Sequence, residues 1–360
     1  MKTFYFNNLE DLSQHQQAAF AQSETISFDL SFPWFANFIS TALKPNERIK
    51  ISVSEDDGGQ VVVLPMCFED GTQRPKTIRS LSSFYTALFA PIGPGSNNVE
   101  LLTFALSALK QDTQSWDVIN FMPMDGGGEH YSTLKNALSA IGMLSYDYCC
   151  FGNWYLPVRG RSYTEYYQTL PSRLKNTIKR KRNLFFSKDA GKLEIITSGD
   201  RLEPGIAAYQ KVYSTSWKVQ EPFPEFIPGL IRLSAEQGWL RLGIAYLQGE
   251  PIAAQIWIVA HRRASIFKLA YDEKFASYSA GSILSAHMME YALDVDKVEE
   301  VDYLIGDDPY KKDWMSHRRE RMGIIAFNPR TIWGLLGYLR QTLVGLRQVL
   351  ISLSIHNNLN

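Results

Sequence analysis

The sequence predicts a mixed α/β protein in which one structural unit is used twice, because two apolar hairpins each lead, in the same order, to a third strand, a helix and a short closing strand. The first hairpin runs over residues 48–53, turns through Glu55-Asp56-Asp57-Gly58-Gly59 and returns over residues 60–68. The second runs over residues 239–247, turns at Gln248-Gly249-Glu250 and returns over residues 251–260. A tight, glycine-bearing turn between apolar runs is the hairpin signal in both places. After the first hairpin the pattern predicts a strand near 77–81, a helix over 98–110 and a strand at 116–121. After the second it predicts a strand at 264–271, a helix over 281–294 and a strand at 300–305. Two copies make an internal duplication of an α/β unit, not a solenoid.

Composition narrows the function classes. A chain of 360 residues with 45% hydrophobic content can bury a substantial core. Lysine plus arginine equals aspartate plus glutamate at 37 each, so no global field draws the protein to nucleic acid or an anionic membrane, and any basic site has to be local. Cys67, Cys149 and Cys150 have no zinc-ligand spacing, and no disulfide is expected. The first ten residues lack the basic start and apolar core of a signal peptide, and no apolar run nears the ~20 residues of a spanning helix, so a cytoplasmic location is expected.

Several catalytic patterns are absent from the sequence: GxSxG, GxxxxGK[ST], HExxH, and GxGxxG after a strand. Asp125-Gly126-Gly127-Gly128 lacks a following lysine and hydroxyl and reads as a surface loop. His15, His130, His261, His287, His317 and His356 are scattered, so no metal is expected.

Four segments stand out. Residues 162–192 are crowded with lysine and arginine against Glu165 and Asp189 alone; Pro171 can open a helix there, with Leu174, Ile178, Leu184 and Phe185 as an irregular apolar face. At 271–282 a strand ends and small residues open a helix, whose free N–H groups and dipole suit a pyrophosphate as well as an ordinary cap. At 301–314 a strand delivers Asp307, Asp308, Tyr310, Lys311 and Lys312 into a proline-restricted loop, which is either a site of mutually shifted groups or a solvated turn. Residues 331–354 read as a helix with Ile332, Leu335, Leu336, Leu339, Leu343, Leu346 and Leu350 as apolar positions, Arg340 and Arg347 on one side, and no acidic residue after Glu320. That helix packs on the body or a second subunit, or touches a membrane surface.

Leu170-Pro171-Ser172-Arg173-Leu174-Lys175-Asn176-Thr177-Ile178-Lys179-Arg180-Lys181-Arg182, then Gly249-Glu250-Pro251-Ile252-Ala253-Ala254-Gln255, then Tyr271-Asp272-Glu273 with Ser279-Ala280-Gly281-Ser282, then Gly306-Asp307-Asp308-Pro309-Tyr310-Lys311 with Trp314, together resemble the CelD-like acetyltransferases. These belong to the acyl-CoA N-acyltransferase (GNAT) superfamily and are often linked to bacterial cellulose or exopolysaccharide production. They are similar in turn to the Fem-type aminoacyl transferases, which carry two GNAT-like units in one chain. The resemblance covers roughly residues 161–327.

The resemblance implies a tandem GNAT fold: a degenerate GNAT-like domain over 1–157, an acyltransferase domain over 158–328, and a C-terminal amphipathic helix over 329–360. It implies an acyl-CoA donor, acetyl-CoA first, and no metal. The donor would be held by Tyr271, Ser279, Ala280, Gly281 and Ser282. Phe275-Ala276-Ser277-Tyr278-Ser279-Ala280-Gly281 replaces the superfamily's [RQ]xxGx[GA] signature, a departure shared by the Fem-type enzymes, which use aminoacyl-tRNA. The basic helix, with Arg180 and Lys181, is then a solvated face, a contact for the donor's phosphates, or a contact for tRNA.

Lys311 matches a lysine that Fem relatives place near the transferred acyl group and would stabilise the oxyanion, with Lys312 in reserve. Asp308, or Asp307, would take a proton from the acceptor, and Tyr310 would protonate the leaving thiolate. The acceptor would be an amine or hydroxyl of a sugar, amino sugar or peptide-like molecule. The other readings are Fem-like aminoacyl transfer and a non-catalytic binding component of a polysaccharide assembly, with the last helix as its docking element; for any of the three, a place at the periphery of the inner membrane is the alternative to a purely cytoplasmic one. A groove beside Gly281 filled by Phe275 or Tyr278 would mark the non-catalytic case. The N-terminal half would be structural or shape the acceptor pocket.

Overall fold

The computed structural model describes residues 1–111, 116–187 and 191–357, and the side chains of all of these except 187 and 345–357. The first half runs β1 (Lys2–Phe6), α1 (Gln14–Glu24), α2 (Phe32–Ala42), β2 (Glu47–Glu55), β3 (Val61–Glu69), β4 (Thr77–Ser80), α3 (Val99–Lys110), β5 (Val118–Asp125), α4 (Glu129–Ala140) and β6 (Leu144–Pro157). Two helices, α5 (Tyr163–Thr169) and α6 (Ser172–Ser187), lead into the second half. That half runs β7 (Lys192–Ile196), α7 (Leu202–Ser214), α8 (Phe226–Glu236), β8 (Leu240–Leu247), β9 (Glu250–Ala260), β10 (Arg263–Tyr271), α9 (Ala280–Asp294), β11 (Glu300–Asp302), a 3-10 turn at Pro309–Asp313, β12 (His317–Phe327) and finally α10 (Ile332–Asn357).

All the strands form one 12-stranded sheet in the order β1-β2-β3-β4-β5-β12-β6-β11-β10-β9-β8-β7. Replacing each strand by its counterpart six positions along the chain reverses this order and leaves it otherwise unchanged. The sheet is therefore a duplicated unit with approximate twofold symmetry, the tandem GNAT arrangement expected from the sequence.

The duplication also carries an exchange that periodicity did not reveal. β6, the last strand of the first half, lies between β12 and β11, while β12 lies between β5 and β6. The two long strands pair antiparallel from Tyr155↔His317 to Leu144↔Phe327, with a bulge between Arg321 and Met322. Each half thus completes its sheet with the other half's final strand.

The layers follow from which face of each strand is apolar. β9 is buried along nearly its whole length, as expected of a strand covered on both faces. On one face, α1, α2, α7 and α8 share a core in which Trp34 of the first half meets Phe226 of the second edge to face at 5.5 Å. On the other, α5, α6 and α9 cover Trp257 and Ile266, and α3 and α4 cover Phe121 and Met66.

The last helix packs on the body through a face other than its leucine stripe. α10 docks on Phe327 and Tyr146 through Gly334, Gly337, Tyr338 and Thr342. A Cβ on Gly334 would stand 2.2 Å from the Asn328 carbonyl oxygen, so small residues set this close approach. Its apolar positions Ile332, Leu335, Leu336, Leu339 and Leu343 are exposed instead. The side chains of Leu346, Arg347 and Leu350 lie outside the described residues. Among the described residues no helix is long and apolar enough to cross a membrane.

Candidate active site

A wedge opens where the two parallel strands of the second half part. β10 and β11 pair only over Arg263–Ser265 and Glu300–Asp302. β10 then continues to Tyr271 with an irregularity between Ile266 and Lys268, while the other chain turns toward β6, with Tyr303 N donating to Trp154 O at 2.9 Å. A left-handed backbone at Leu304 (φ 52°) and at Gly306 (φ 99°) makes the bend.

Two cavities meet in this wedge. One, of about 560 Å³, lies against α9 and α6 and is lined by Arg173, Leu174, Thr177, Trp217, Gln255, Tyr271, Gly281, Ser282, Ser285, Asp313 and Trp314 among others. The second, of about 220 Å³, is lined by Phe84, Tyr85, Lys218, Lys268, Asp308 and Lys311 among others. Leu269, Tyr303 and Tyr310 line both.

The larger cavity meets an open helix start. Ser279 takes a left-handed conformation (φ 50°, ψ 40°) and its side chain makes no cap to α9. The buried Gln255 Nε2 donates to Gly281 O (3.0 Å) and Ser285 Oγ (2.7 Å), while Trp257 Nε1 donates to Gln255 Oε1 (2.9 Å), which fixes the first turn against β9. A Cβ on Gly281 would meet only the Tyr271 ring, at 3.5 Å. Trp217 packs on Tyr271 with ring centroids 4.6 Å apart. Phe275 and Tyr278 pack on the apolar core under α9 and are not among the residues lining the cavity.

Of the residues the sequence assigned to the donor, Tyr271, Gly281 and Ser282 line the cavity and Ser279 shapes its turn. Ala280 is buried in the core. Arg180 is exposed on α6, and Lys181 Nζ donates to Ser277 O, so neither lines the cavity. The basic helix contributes from its first turns instead, with Arg173 paired to Asp313 at 3.0 Å and Thr177 beside it. The run Lys179–Arg182 lies a turn or two too far along to reach.

The smaller cavity holds the charged groups. Lys311 is buried, and its Nζ donates to Ile305 O (2.6 Å) and Gly306 O (3.1 Å) and stands 3.2 Å from Asp308 Oδ2. Burial pulls the Lys311 pKa down, opposed by the Asp308 carboxylate. A Cβ on Gly306 would come within 3.3 Å of both Lys311 Nζ and Asp308 Oδ2, so glycine leaves the room this pair occupies. Tyr310 stands edge-on to the buried Tyr303 at 5.8 Å, and burial raises the pKa of both phenols. Asp307 is held elsewhere, by Arg318 (2.8 Å) and Trp154 Nε1 (2.5 Å), which keep its pKa low. Lys312 is exposed and lines neither cavity. Asp308, Tyr310 and Lys311 are therefore brought together, and the two reserve residues are not.

Sequence reasoning missed the far wall. Lys268 pairs with Glu221 at 2.6 Å, and Tyr85, from the first half, donates to the other Glu221 oxygen at 2.5 Å. Burial alone would raise the Glu221 pKa, but bonds from Lys268, Tyr85 and Tyr213 outweigh it and hold the carboxyl low. Lys218 is pushed down to about 8 by burial and by neighbouring Lys268. The one available signal was Lys268 itself, a charge set between Phe267 and Leu269 in the middle of a strand.

Residues 172–312 match the family model of the GNAT acetyltransferase domain. Among solved structures, the crystal structure of FemX is similar to this chain at 12% identity, covering 91% of this chain and 97% of that one with a TM-score of 0.59. A conserved protein of unknown function from Bacteroides thetaiotaomicron VPI-5482 is similar at 14% identity, covering 90% and 99% with a TM-score of 0.56. At such identities the likeness is one of fold. No curated protein sequence matches the chain.

Proposed function

We propose that this GNAT-type acyltransferase moves an acyl group, acetyl from acetyl-CoA first, onto an amine or hydroxyl of an acceptor that enters from the opposite side of the wedge. The observation that carries this reading is the pair of cavities that share Leu269, Tyr303 and Tyr310. A donor lying against the open start of α9 would have its pyrophosphate at free N–H groups and its thioester directed toward the shared residues. The absence of Phe275 and Tyr278 from the cavity lining supports an enzyme over a binding component.

The charged residues have roles that their bonds constrain. Asp308 accepts the proton of the attacking amine or hydroxyl as the bond to the acyl carbon forms. An ammonium has three protons, and in Lys311 they are taken by Ile305 O, Gly306 O and Asp308. Once Asp308 is protonated its hold on Lys311 weakens, which frees one N–H for the oxyanion of the tetrahedral intermediate. As the carbon–sulfur bond breaks, Tyr310 gives its proton to the thiolate; Asp308 then releases its proton to solvent and Tyr310 regains one from it, which restores both groups.

The CelD-like order of motifs favours a sugar or amino-sugar acceptor of the cell envelope or of a secreted polysaccharide. An aminoacyl-tRNA donor is the second reading; the exposed basic residues of α6 beyond Thr177 favour it, since they are not taken up by the cavity. The test is release of CoA from acetyl-CoA with a panel of amino sugars and simple amines. Turnover that depends on an acceptor and is lost in Asp308→Asn and Lys311→Met supports the proposal. Equal turnover in both variants removes these roles, and acylation only from charged tRNA moves the assignment to the second reading.

A further inference from the structure

α10 presents its apolar side to solvent. Ile332 is 76% exposed and Leu343 66%, with Leu336 and Leu339 between them on the same face. The opposite side, Gly334, Gly337, Tyr338 and Thr342, is held against Phe327 and Tyr146. A helix that served only to cover the sheet would turn its leucines inward. Trp333 and Val344 are exposed beside the stripe, Arg340 flanks it, and Arg330 precedes the helix. No acidic residue follows Glu320. A second copy laid helix on helix would bring Arg340 against a face whose described residues carry no acidic side chain, whereas an anionic surface supplies the missing charge.

We propose that the outward face of α10 docks the protein on an anionic lipid surface, with the leucines in the acyl boundary and Arg330 and Arg340 at the headgroups. The face is separate from the wedge: the 11 residues of β12 between them span about 30 Å. Docking and catalysis can therefore be tested apart.

The experiment is co-sedimentation of the full chain with vesicles of equal phosphatidylglycerol and phosphatidylcholine, against phosphatidylcholine alone, with light scattering of the lipid-free protein. The expected result is binding at least about tenfold stronger to the anionic vesicles, weakened by about 0.5 M salt. It should be lost in Leu336→Glu/Leu339→Glu/Leu343→Glu and reduced in Arg340→Glu. These positions are exposed, so the thermal melt should be unchanged. Equal binding to both vesicles, or binding to neither, overturns the proposal, as does a lipid-free dimer that the triple variant splits.

Discussion

The two halves treat the same junction in opposite ways. In each, a parallel pair of strands is joined for three residues, β4 with β5 and β10 with β11. In the first half Ser80 Oγ then bridges Met122, donating to its carbonyl at 2.7 Å and accepting from its N–H at 3.1 Å, and Phe89 stacks on Phe121 at 5.7 Å. In the second half the strands part and two cavities open. The helix starts differ too: Asn98 Oδ1 accepts from Leu101 N at 3.1 Å and caps α3, whereas α9 has no side-chain cap. A side chain that caps a helix occupies the place an anion would take. The closed half still serves the open one, because the segment bearing Phe89 also delivers Phe84 and Tyr85 to the smaller cavity.

This contrast can be broken at its catalytic centre, with the largest expected effect. Asp308→Asn should lower kcat/KM by about 10²–10⁴-fold and Lys311→Met by about 10²–10³-fold, both read by CoA release. The double variant should be little worse than Asp308→Asn alone, because the two groups act through one ion pair. An additive loss would separate their roles.

Filling the open junction comes next. Gly281→Trp should raise the acetyl-CoA dissociation constant more than about tenfold, since Gly281 lines the larger cavity beside Tyr271 and an indole there would take up donor space. Tyr85→Phe tests whether the closed half reaches across. It removes a hydrogen bond to the Glu221 carboxylate and should raise the acceptor KM about tenfold at unchanged acetyl-CoA affinity. The smallest effect lies in the capped helix. Asn98→Ala should cost about 1 kcal/mol of stability, seen as a lower Tm, with turnover and donor affinity unaltered.

The sequence made some of this legible for definite reasons. Hairpin turns at Gly58-Gly59 and Gly249 and the apolar runs around them were enough to place β2 to β5 and β8 to β11 in order, since alternation and turn chemistry are local, whereas β1, β6, β7 and β12 were not anticipated. Asp308, Tyr310 and Lys311 were found because they crowd one short loop. The exchange of β6 and β12 was hidden, as half-buried strands carry no mark of which neighbour they pair with. Tyr85 and Glu221, 136 positions apart, could not be joined by any local pattern. Leucines at 336, 339 and 343 were correctly placed on one face, but periodicity says which side of a helix is apolar, not what it meets.

The most direct test of the open and closed junctions is the stoichiometry of acetyl-CoA binding by calorimetry. A single equivalent per chain is expected, weakened more than about tenfold by Gly281→Trp and untouched by Asn98→Ala. A second equivalent, an affinity that Gly281→Trp leaves unchanged, or no binding to the folded wild type would contradict this expectation.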